Sequence, residues 1–115
     1  MTIATAYAGS ATISTAEYSL PNNSVTLATL TAVAIYQVFL DVANMVAGDA
    51  YRVTIYEAVQ AAGAKRVAWT EVLTGAPVMP VWVSPSLILM NGWDVTVTRL
   101  AGADRVIGWS IRSVA

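Results

Sequence analysis

In the last quarter of the chain, apolar and polar residues change places at nearly every step. Trp93, Val95 and Val97, with Arg99, alternate with Asp94, Thr96 and Thr98. After Ala101-Gly102-Ala103-Asp104, Ile107, Trp109 and Ile111 alternate with Gly108, Ser110 and Arg112. A period of two marks a strand with one face toward a core. Two such runs around a glycine-containing loop predict a β-hairpin.

The same pattern recurs upstream. Tyr51, Val53 and Ile55 alternate with Arg52, Thr54 and Tyr56, and Ala61-Ala62-Gly63-Ala64 supplies a turn. Val67, Trp69 and Glu71 then share one face, with Ala68, Thr70 and Val72 on the other, predicting a second hairpin. Before it, Ile35 to Ala43 places Tyr36, Val38, Leu40 and Val42 on one face and Gln37, Phe39 and Asp41 on the other. Met79 to Val83 and Leu87 to Met90 read as short strands, and the Ser84-Pro85 between them demotes the pair to a sheet edge or a loop between sheets. Asn91-Gly92 signals a tight turn.

The first thirty residues differ. Ile3 to Tyr7 and Thr12 to Leu20 have strand character, but Ala, Ser and Thr dominate and Glu17 is the only charge. They form either outer strands or an arm reaching to a neighbour. The expected architecture is therefore all-β: a single antiparallel β-sandwich, jelly-roll-like, of about seven or eight strands. Residues 31–115 make its core, with residues 1–30 as arm or outer strands.

Composition changes this picture in one respect. Hydrophobic residues make up 57% of the 115 and charged residues only 11%, about half the usual charged share. A free monomer this poor in charge is sticky, so either a membrane or a protein partner covers part of it. The best candidate span, Leu27 to Gly48, carries Asp41, Gln37 and Asn44, and a carboxylate inside a span costs roughly 2.5–3.5 kcal/mol. Pro77, Pro80 and Pro85 break any helix between Ala76 and Trp93. No basic residue precedes an apolar run at the N-terminus, so no signal peptide is expected. Protein-covered surface is the better account. Six basic against seven acidic residues, with no basic run, argue against nucleic acid as partner.

Catalytic chemistry is narrowly bounded. There is no Cys and no His, which removes thiolate nucleophiles, the commonest general base and the commonest metal ligands. Lys65, the only lysine, sits beside Arg66 after a glycine turn and reads as solvated. No serine lies in a nucleophile elbow. Glu17, Asp41, Asp49, Glu57, Glu71, Asp94 and Asp104 read as turn carboxylates (Asp49, Asp104) and cross-strand ion-pair partners, with Asp94 able to face Glu71 or Arg112. No calcium loop or phosphate cradle is present. The expectation is no enzyme, no cofactor and no metal. The tryptophans Trp69, Trp82, Trp93 and Trp109 read as core or interface anchors, with Trp82 the one most suited to a surface.

From Tyr36 to its end the chain resembles the small β-sandwich proteins that tailed bacteriophages use as capsid cement or decoration proteins. The resemblance is carried by Tyr51-Arg52-Val53-Thr54-Ile55-Tyr56-Glu57, Val81-Trp82-Val83-Ser84-Pro85-Ser86-Leu87, Gly92-Trp93-Asp94-Val95-Thr96-Val97-Thr98 and the Gly102-to-Trp109 segment. It lies in the order of strands and turns. It implies a non-enzymatic virion protein, made in the host cytoplasm, that binds the outer face of the major capsid protein shell, often as a homotrimer. Contacts are expected from the segment Thr2 to Leu20 and the loop Pro77 to Pro85, with Ile3, Tyr7, Ile13, Tyr18, Leu20, Val78, Met79 and Trp82 as interface residues. A different virion part (head fibre base, tail or adaptor protein) and a carbohydrate-binding sandwich using Trp82 and Trp93 remain alternatives.

Overall fold

The computed structural model describes all 115 residues. Nine strands follow in order: β1 (Ile3–Ile13), β2 (Tyr18–Ser19), β3 (Ala34–Asp41), β4 (Ala50–Ala58), β5 (Lys65–Thr74), β6 (Val81–Val83), β7 (Leu87–Leu89), β8 (Trp93–Ala101) and β9 (Arg105–Val114). There is no helix. One sheet has the order β1-β9-β3-β6, with β7 also pairing β3, and the other runs β2-β8-β4-β5. Every pairing is antiparallel. The chain passes back and forth between the sheets, the jelly-roll way of winding a sandwich.

Alternation explains the core. Tyr36, Val38 and Leu40 from β3 and Ile107, Trp109 and Ile111 from β9 face inward from one sheet. Tyr51, Val53 and Ile55 from β4 and Trp93, Val95 and Val97 from β8 meet them from the other. Gly9 in β1 pairs with Trp109, and a Cβ there would lie 2.8 Å from the indole ring. The glycine leaves room for a tryptophan that a larger residue would displace.

The hairpin expected around Tyr51–Val72 forms as β4 and β5. A bulge opposite the Ile55–Tyr56 step shifts its register. Trp69 and Glu71 therefore share the core side with Ile55 and Val53, while Val67 pairs with Tyr56 and turns to the opposite face. The expectation from Pro85 also holds, because β6 and β7 are short strands at the edge of their sheet.

The hairpin expected at the C-terminus does not form. β8 pairs with β4 and β2, whereas β9 pairs with β1 and β3 in the other sheet. The turn between them is a corner that changes sheets, and a polar lock holds it. Asp49 accepts from Arg105 Nε at 2.8 Å and from the Ala103 amide at 3.2 Å. The Tyr51 hydroxyl donates to Ala103 O at 2.8 Å and accepts from the Arg105 amide at 2.7 Å. Arg99 donates to Gly102 O and pairs with Asp104. Gly102 has φ +84°, and any side chain on it would collide with Asp49.

β1 is built into its sheet. Its residues pair with β9 from Ile3↔Val114 to Ile13↔Arg105. No helix is long and apolar enough to cross a membrane.

Candidate protein-docking site

The two sides of the sandwich end differently. On one side the sheets stop at β5 and at β6, and a cleft of about 500 Å³ opens between these edges. Its floor is Val42, Met45 and Leu73, and its rim includes Val72, Met79 and Val81. None of its lining residues carries a charge. Trp82, opposite Leu40 on the inward side of β6, donates its indole N–H to a Glu71 carboxylate oxygen at 2.7 Å. This bond ties the two sheets together beside the cleft. Next to it, Val78 is 98% exposed and Met79 76% exposed.

A second apolar area lies on the outward face of the β1-containing sheet. Register aligns Ile3 with Val114, Val114 with Ile35, and Ile35 with Ile88 in one row across four strands. Ile3, Ile35 and Ile88 are all exposed. Beside this row Arg112 stacks on the Phe39 ring, with its guanidinium carbon 3.9 Å from the centroid.

The opposite side of the molecule is closed. Asp94, Thr96 and Thr98 point outward from β8 yet are buried. Asp94 accepts from Ser19 Oγ at 2.8 Å, the Ala28 amide at 2.9 Å and the Val95 amide at 2.9 Å. Lys65 Nζ lies 3.9 Å from it and donates to Ala28 O at 2.6 Å. Glu17 accepts from the Tyr56 hydroxyl at 2.5 Å and from Thr96 Oγ1 at 2.6 Å. Burial, and then the bond to Glu17, pushes the Tyr56 phenol up to about 12. Burial also raises the Asp94 carboxyl, against the pull of its donors. At the corner, the Arg105 guanidinium leads the effects that bring Asp49 down to about 2.

These contacts correct two expectations. Asp94 faces neither Glu71 nor Arg112, because the segment from Ser14 to Leu30 folds over β8 and supplies its partners. Lys65 is drawn inward instead of being solvated. All seven carboxylates have structural partners: Glu57 caps the amides of Met90 and Asn91, and Asp41 that of Ala43.

No family model and no curated protein sequence matches the chain. Among solved structures it is similar to PirA, with a TM-score of 0.51 and 13% identity over 96% of this chain and 94% of that one. It is also similar to the Eiger TNF of S. frugiperda, with a TM-score of 0.45 and 12% identity over 97% and 88% of the two chains. A chain of infectious bursal disease virus, Gx strain, aligns over 96% of this chain but only 29% of its own, at 15% identity and a TM-score of 0.38. The PirA likeness shows the fold alone, and the other two are too distant to carry an argument.

The expected interface residues fall into three groups. Ile3, Val78 and Met79 are exposed and free for a partner. Tyr7, Tyr18 and Trp82 are partly buried and pack against the core. Ile13 and Leu20 are fully buried: the alternation of β1 turns Ile13 inward, and the turn after β2 brings Leu20 into the core. These last two are core residues and not contact residues.

Among the tryptophans, Trp93 and Trp109 are buried and Trp69 is the most exposed. With Trp93 fully buried, Trp82 and Trp93 form no sugar platform. Alternation alone does not single out Trp69, because it places the residue on the core side, where the facing sheet no longer covers it.

Proposed function

We propose that this chain is a non-enzymatic structural protein of a virion, a capsid cement or decoration protein that docks on the outer face of a major capsid protein lattice. The observation that carries the reading is the uncharged, open side of the sandwich. Large aliphatic side chains stand exposed around the cleft and along the Ile3–Ile88 row, in a chain only 11% charged. Such a surface serves a site that is occupied permanently. The hydrogen-bonded polar groups over β8 and at the Gly102 corner fit a rigid part better than a catalyst. Repeated copies on a lattice gain avidity without strong single contacts. The exposed row of Ile3, Ile35 and Ile88 offers the surface for the homotrimer that the phage resemblance implies.

Because β1 is part of the sandwich, deleting residues 2–20 would unfold the protein instead of testing contact. The direct experiment adds the purified protein to capsid shells emptied of it, with isolated tails in parallel. Saturable binding to shells, with a raised disruption temperature, is the expected result, since a ligand that binds the intact state stabilises it. Binding to tails alone would move the protein to another virion part.

A further inference from the structure

The cleft at the open side is bordered by main chain as well as by apolar side chains. Val42 N donates to Pro80 O at 2.8 Å and Ser84 N donates to Val38 O at 2.9 Å. Between these two bonds Leu40 stands opposite Trp82. Hydrogen-bonded pairs alternate along an antiparallel ladder, so Trp82 turns its amide groups toward β3. Val81 and Val83 then turn theirs away from β3, to the free edge of the sheet. Unpaired strand amides call for another strand. An uncharged cleft beside them calls for uncharged side chains.

We propose that the β6 edge and the adjoining cleft together form a receptor for an extended, uncharged peptide strand of a partner protein. The strand pairs with the outward amides of Val81 and Val83 and lays alternate aliphatic side chains between the sheets, over Leu73, Val42 and Met45. It continues the β1-containing sheet by one strand and closes the open side. Main-chain bonds supply affinity, and the cleft selects side chains at every second position. Trp82, held by Glu71 across the two sheets, keeps the entrance at fixed width. The inference deepens the docking reading above and rests on it only in taking the partner to be a protein.

The probe is the capped pentapeptide acetyl-Thr-Leu-Thr-Leu-Thr-amide, titrated into the isotope-labelled protein and followed by NMR. Shifts are expected at the Val81 and Val83 amides and at the Trp82 indole N–H. Val81→Pro removes one outward amide and leaves the β3 ladder intact, and it should weaken binding about tenfold. Met79→Asp, on an exposed loop that tolerates the change, should weaken it by about as much. The same peptide with Asp in place of Leu should not bind. Failure of the leucine peptide to bind at millimolar concentration, or unchanged binding by Val81→Pro, overturns the proposal. Peptide binding without shell binding keeps the strand receptor and removes the cement reading. Shell binding undiminished in both variants does the reverse.

Discussion

The β8 side and the β6 side of this sandwich solve the problem of an exposed sheet in opposite ways. Over β8, a polar layer is buried under the segment from Ser14 to Leu30, and Asp94 accepts from three donors there. Beside β6, apolar groups are left open and strand amides unpaired. Buried polar atoms must be satisfied one by one. Apolar atoms can wait for a partner at no hydrogen-bonding cost. The closed side therefore holds the monomer together, and the open side is the part proposed for binding.

The comparison breaks most sharply at Asp94. Asp94→Ala strands the Ala28 amide, the Ser19 hydroxyl and the Lys65 ammonium, and should cost about 2–4 kcal/mol in denaturant unfolding. Asp94→Asn, which keeps an acceptor, should cost less. On the open side, Trp82→Phe removes the indole bond to Glu71 and part of the ring's packing against the core, and should cost about 1–2 kcal/mol.

pH separates the groups by sign. Asp49 is held at about 2 against an ordinary 3.8. Its contribution is complete above the ordinary value and disappears as pH falls through 3.8 toward 2. An acid titration of Asp49→Asn should lose that component. Asp94 is shifted upward by burial, so the fold favours its protonated form, and its contribution is complete below the ordinary 3.8 and is lost as pH rises through the raised value. Tyr56, raised from 10.0 to about 12, contributes fully below its ordinary value, and this contribution is lost as pH rises through that interval. Tyr56→Phe should flatten the alkaline limb of the stability profile.

The smallest expected change in stability is at the rim. Val78→Ser and Met79→Ser remove exposed side chains and should shift stability by less than about 0.5 kcal/mol. The same pair should reduce self-association in sedimentation, because they shrink the exposed apolar area. A large loss of stability from these two would mean that the open side is core after all.

What is legible in the sequence follows the same division. Alternation reports which face of a strand is buried, and it assigns the inward residues of β3, β4, β8 and β9 correctly. It does not report which sheet a strand joins, because both sheets share one core. The stretch through Gly102 therefore has the pattern of a hairpin, although its glycine serves a corner locked by Asp49, Tyr51 and Arg105. The polar layer at Asp94 is equally hidden. A polar residue on an outward strand position looks solvated until a segment remote in sequence folds over it. The cleft is half legible: Pro85 marks an edge, but Trp82, read as the surface tryptophan, is half-buried against the core, and Val72 and Leu73 reach the cleft only through the β4–β5 register.

The most direct test of the account is hydrogen exchange on the protein bound to emptied capsid shells. The account predicts new protection at Val81 and Val83 and across the Pro77–Pro85 loop, with the already protected β8 strand unchanged. Protection confined to the Ser14–Leu30 segment, or no new protection at β6, would contradict it.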